Sequence, residues 1–163
     1  MFRGPLHALT FVSALGSGVV AGLFFAFSTF MMKALARLPP AQGIAAMQSI
    51  NVTIIRPSFL AVFLGTAVAS LVLGVSALRS WERPDARYLL LGSALYLVGV
   101  IGVTGAFNVP RNDALAAVDP AQADAASLWA RYVSGWTAWN HVRTAAALGA
   151  TASFILALRL GRE

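Results

Sequence analysis

The chain has 163 residues, of which 58% are hydrophobic and only 11% charged, with no cysteine and a net charge of +6. Soluble domains carry about 25% charged residues, so this pool cannot build a water-facing surface, and an integral membrane protein is expected. The missing cysteines exclude disulfides, thiolate metal sites, iron–sulfur ligation and a cysteine nucleophile. The basic residues are scattered between apolar runs instead of forming a block, which makes them membrane-interface anchors and argues against nucleic acid as a partner.

Four strongly apolar stretches lack Asp, Glu, Lys and Arg: 4–32, 57–78, 88–110 and 144–158. A spanning helix needs about 20 residues. The first three qualify, with spans expected at about 8–32, 57–78 and 88–108. The first is too long for the apolar region of a signal peptide and shows no clear cleavage site, so it reads as a retained helix. Small residues four apart, such as Gly18 and Gly22, Gly65 and Ala69, and Gly149 and Ser153, suit close helix packing in lipid. The fourth stretch is too short alone. It must recruit Trp139, Asn140, His141, Val142 and Arg143 to give a span of about 139–159. Such polar groups are costly in lipid and should face protein or a water-filled pocket. The expected fold is all-α: one domain, residues 1–163, forming a four-helix transmembrane bundle.

Four spans put both termini and the 79–87 turn on one face, side A, and the connections 33–56 and 111–143 on the other, side B. Both side B connections should carry short amphipathic helices. In "LPPAQGIAAMQSINVTIIRP", Pro39 and Pro40 open a helix with Ile44, Met47, Ile50 and Ile54 on one face. In "VDPAQADAASLWARYVSGW", Asp119 is a good N-cap with Pro120 after it, and that helix can run, bent near Gly135, into the fourth span. Six basic residues fall on each side, Arg3 and Arg162 among those of side A, so the positive-inside rule ties. Assigning some side B cations to a site makes side A the expected cytoplasmic face.

Polar chemistry gathers at the side B helix ends. "FNVPRNDAL" closes the third span, although Pro110 argues against a regular helix through it. Trp136, Trp139, Asn140, His141 and Arg143 open the fourth, and Asn51 and Arg56 lead into the second. A pocket between helices at this face is the expected binding site. His7 and His141 fall at opposite ends of the bundle, so a shared metal or haem is not expected. No charged residue falls near the middle of a span, which argues against an ion path.

"AFSTFMMKALARLPPAQGIAAMQSIN", "FNVPRNDAL" and "WARYVSGWTAWNHVRT" resemble the DUF1772, or anthrone oxygenase, family of small four-helix membrane proteins. The resemblance covers nearly the whole chain. It implies a reaction that oxidises a small hydrophobic, anthrone-like aromatic, with molecular oxygen as co-substrate and no flavin or metal cofactor. Under that resemblance, His141 is the candidate base because imidazole titrates near neutrality, and Asp113 would orient or replace it. Arg143, Asn140, Asn108 and Asn112 would donate to an oxyanion. Trp136, Trp139 and Phe107 would stack on rings, and Arg56 completes the substrate-binding set. A bacterial inner membrane is the expected location. The alternative is a non-catalytic protein whose pocket binds a lipid, quinone or other amphipathic ligand, or a partner subunit; membrane lipid is a partner in either case.

Overall fold

A computed structural model describes residues 4–161; Arg3 and Arg162, counted above with side A, lie outside the described residues. The described chain is all-helical. It forms α1 (Pro5–Leu35), α2 (Pro40–Thr53), α3 (Pro57–Arg79), α4 (Ala86–Ala116) and α5 (Ala125–Leu160). Four of these, α1, α3, α4 and α5, are long and apolar enough to cross a membrane. Exposed Val12, Leu15, Val19, Val68, Leu71, Val98 and Leu148 give the bundle an apolar outer surface. This is an integral membrane protein with a four-helix bundle.

Proline sets three of the starts. Pro5, Pro40 and Pro57 stand in the first turn of α1, α2 and α3, where the absent N–H costs nothing and the fixed φ already suits a helix. Pro110 behaves differently from the sequence expectation. α4 runs through it to Ala116, and the backbone just before it widens into a π-helical turn at Thr104–Asn108. The Arg111 guanidinium donates to Phe107 O at 2.7 Å, putting a donor at the turn where proline disrupts the ladder. A second correction concerns Asp119. It caps no helix: its Oδ1 accepts from Ala121 N in a short turn, and α5 begins at Ala125. From there α5 runs unbroken through Gly135 for 36 residues.

At 1.5 Å per residue α5 is about 54 Å long, well beyond the ~30 Å hydrocarbon core. The excess lies on side B, where α2 packs across the extended ends of α1, α4 and α5. Two hydrophobic clusters result. One, within the membrane, includes Val20, Phe63, Leu73, Tyr96, Val100 and Phe154. The other, on side B, includes Phe27, Met32, Ile44, Met47, Leu115, Trp129 and Trp136. The amphipathic face expected of α2 is the one used: Ile44 and Met47 are buried and Ile50 packs against the same cluster.

Close packing follows the spacing only in part: a Cβ placed on Gly149 would sit 3.0 Å from Leu95 Cδ1 and one on Gly18 3.8 Å from Thr151 Cγ2. No atom lies within 4 Å of a Cβ placed on Gly22 or Gly65. A Cβ on Gly92 would sit 2.8 Å from the Phe154 ring, one on Gly99 would sit 2.5 Å from Ala146 Cβ, and one on Gly16 would collide with Thr66.

Candidate functional site

Helical periodicity sorts the polar cluster of α5. Trp136, Asn140, Arg143 and Ala147 follow the i, i+4, i+7, i+11 spacing that lines one face, and all four are buried. His141 lies two residues from Arg143, about 200° around the helix, and is exposed. Arg143 and His141 therefore serve different surfaces of the same helix.

Asn140 is fully buried and ties α5 to α1. Its Nδ2 donates to Phe24 O and to Ser28 Oγ, both at 2.7 Å. Its Oδ1 is thereby directed at Arg143, whose Nη2 donates to it at 2.7 Å. Arg143 Nη1 donates to Thr104 Oγ1 at 3.3 Å. The guanidinium carbon lies 4.2 Å from the centroid of Phe24 and 5.0 Å from that of Trp136. Arg143 is 5% exposed, and its Nε is buried with no hydrogen-bond partner. The only ion pair among the described residues joins Arg83 and Asp85 on side A. Arg143 is thus a buried cation held by neutral oxygens and ring faces, with no carboxylate. Such a charge is costly unless something compensates it.

The cavity beside Arg143 has a volume of about 250 Å³ and draws its lining from all five helices. Leu23, Phe24, Phe27, Met47, Phe59, Phe63 and Trp136 make it largely apolar; Asn51, Thr104, Asn112 and Arg143 supply the polar atoms. It sits where the two hydrophobic clusters meet. The π-helical turns of α1 and α4 contribute Phe27 and Thr104 to it. Exposed Ile55 and Val109 are part of its lining, so its mouth opens on an apolar surface.

Asn112 has a fixed orientation. Its side-chain oxygen accepts from Tyr132 Oη and Trp136 Nε1, both at 2.9 Å. An indole N–H only donates, so the atom it meets is Oδ1, and the Asn112 amide N–H groups are left for the cavity. Thr104 Oγ1 donates to Val100 O and accepts from Arg143, so its oxygen is engaged as well. The Arg143 guanidinium and the Asn112 amide give the polar wall hydrogen-bond donors, and Asn51 adds an amide that can donate or accept.

The other sequence candidates fall outside the cavity. Asn108 is buried and its Nδ2 donates to Trp136 O at 3.2 Å, so it braces α4 against α5. Phe107 and Trp139 stack on each other, centroids 3.5 Å apart and planes 6° from parallel. Arg56 and Asp113 are exposed and line no part of the cavity. His141 lines a separate groove between α1 and α5 with Lys33. Asp113 does not orient His141, because no hydrogen bond or ion pair joins the two. Among the described residues no group of three or more His, Cys, Asp or Glu side chains is placed to hold a metal.

Sequence reasoning missed Thr104, Phe24, Phe59, Phe63 and Met47 as cavity residues. Apolar residues in a span read as core or lipid-facing alike, and only tertiary packing separates the few that border a void. Thr104 had one signal, a hydroxyl four residues before Asn108.

The family model described as anthrone oxygenase matches residues 58–153, more than half of the chain. The chain belongs to that family. The matched stretch holds α3, α4 and the part of α5 that carries Trp136, Asn140 and Arg143, so the donor wall lies within the shared region. Phe24, Ser28 and Met47, contributed by α1 and α2, lie outside it. No curated protein and no solved structure matches the chain.

Proposed function

We propose that this family member binds a small, flat, hydrophobic aromatic compound through an anionic or strongly polarised oxygen, and that it oxidises that compound with molecular oxygen and no protein-bound cofactor. The observation that carries this reading is Arg143: a buried guanidinium with no carboxylate partner, facing an apolar cavity whose other oriented polar group, Asn112, also donates.

The chemistry follows from that wall. A methylene flanked by two aryl rings and conjugated to a ketone, as in an anthrone, loses a proton to give an enolate. Donors preorganised around its oxygen stabilise that anion strongly where water is excluded. The electron-rich carbon then transfers electrons to oxygen and recombines as a peroxide. Loss of water completes the change, so that the methylene plus one O2 becomes a carbonyl plus one H2O. No imidazole or carboxylate among the described residues lines the cavity. Its contribution is therefore to stabilise the conjugate base and not to abstract the proton with a dedicated side chain: the proton passes to interfacial water or hydroxide at the cavity mouth and is returned when the peroxide anion is protonated before water is lost.

Size separates this reading from lipid binding. A volume of about 250 Å³ lies just under the usual range of ligand pockets, about 300–1,000 Å³. It suits a compact ring system and not a two-chain lipid. Access through the Ile55 and Val109 mouth suits a compound dissolved in the bilayer.

Oxygen uptake by purified protein with a simple anthrone, corrected for spontaneous oxidation, tests the proposal. Wild type and Asp113→Asn should both exceed background, and Arg143→Gln should not. Equal rates in wild type and Arg143→Gln would sink the assignment of Arg143.

A further inference from the structure

On the far side of α5 from the cavity, a groove of about 480 Å³ runs between the side B ends of α1 and α5. Lys33 and His141 stand on its two walls, and no Asp or Glu among the described residues lines it. Met32, Ala36, Val133 and Ala138 give it an apolar floor. Its depth in the membrane is set by the sequence: Lys33 ends the uncharged run that begins at Gly4, so the groove lies at the hydrocarbon–headgroup boundary.

We infer that this groove is a binding site for an anionic phospholipid, separate from the Arg143 cavity. The phosphodiester would lie between Lys33 and His141, and the first carbons of the acyl chains would lie on the apolar floor. Charge complementarity selects the headgroup, and the position of the groove at the boundary selects a lipid. A basic residue near an anionic headgroup contributes about fivefold in affinity.

The test uses the full-length protein in mixed micelles of equimolar phosphatidylglycerol and phosphatidylcholine, with bound lipid counted by native mass spectrometry. Wild type should retain phosphatidylglycerol in preference. Lys33→Gln should lower that preference about fivefold. His141→Gln, on the opposite wall, should lower it in the same direction without changing phosphatidylcholine retention. Arg56→Gln, an exposed side B cation outside the groove, should leave it unchanged. No preference in wild type would overturn the proposal. So would an Arg56→Gln effect as large as that of Lys33→Gln, because the attraction would then be diffuse charge and not a site. Lys33 and Arg56 are exposed, so both variants should fold, and unchanged circular dichroism checks this.

Discussion

Arg143 donates to Asn140 Oδ1 at 2.7 Å, one helical turn away on α5, and Asn140 in turn holds α1 through Phe24 O and Ser28 Oγ. The residue that positions the buried cation is also a bridge between two spans. Truncating it should therefore damage both stability and site. Asn140→Ala removes three hydrogen bonds and leaves the Arg143 charge less satisfied. Interhelical hydrogen bonds in membranes average about 0.6 kcal/mol, and an unsatisfied buried group adds about 1–3 kcal/mol. A loss of about 2–4 kcal/mol is expected, measured by thermal or denaturant unfolding in detergent.

The guanidinium itself should matter more to chemistry than to folding. Arg143→Gln keeps a donor for Asn140 Oδ1 but removes the charge and most of the donor fork. Removing one preorganised oxyanion donor costs about 10²–10³ in rate, so oxygen uptake with an anthrone should fall by at least about a hundredfold. Arg143→Lys keeps the charge without the fork and should fall between the two.

His141 makes the opposite prediction. It faces away from the cavity, so His141→Ala, assayed in detergent without added phospholipid, should keep wild-type oxygen uptake. Its stability should stay within about 0.5 kcal/mol, as for most exposed substitutions. A large loss of rate would return the base to this residue.

The sequence made the architecture legible because lipid imposes a simple rule: long uncharged runs must become helices. It also located the end of the bundle where polar chemistry gathers, and it named Asn112, Trp136, Asn140 and Arg143. What it could not supply was the angle around α5. His141 and Arg143 are neighbours in sequence but lie on different faces, and a motif such as W-x-x-W-N-H-x-R reads as one cluster until it is wound at 100° per residue. Phe107 and Trp139 were similarly read as ligand-stacking rings, whereas each ring's partner is the other. The continuation of α4 past Pro110 was hidden because the compensating π-helical turn and the Arg111–Phe107 hydrogen bond are tertiary and local adjustments with no signature in composition.

Glycine contacts give a direct check on that packing. Gly92→Ala places a methyl group against the Phe154 ring, and Gly99→Ala places one against Ala146 Cβ. Each should destabilise by about 1–3 kcal/mol through overpacking. Gly22→Ala meets open space and should be neutral or slightly stabilising, by up to about 1 kcal/mol, because alanine loses less backbone entropy in a helix. Melting temperatures of the three variants in one detergent separate the two classes.

Asn112 allows the donor character of the cavity to be tested without disturbing its frame. Both groups that bond its oxygen, Tyr132 Oη and Trp136 Nε1, are donors, and a carboxylate accepts from both equally well. Asn112→Asp should therefore fold with α4 still fastened to α5. It would lose the amide N–H groups and place a negative charge on the wall that carries Arg143. Binding of an acceptor-type ligand, followed by tryptophan fluorescence on titration with an anthrone, should weaken at least tenfold, about 1.4 kcal/mol. Asn112→Ala would leave two buried donors unpaired and lose stability as well. If Asn112→Asp bound the ligand as tightly as wild type, the polar wall would not be reading an oxyanion, and Arg143 would need another reason to be buried without a carboxylate.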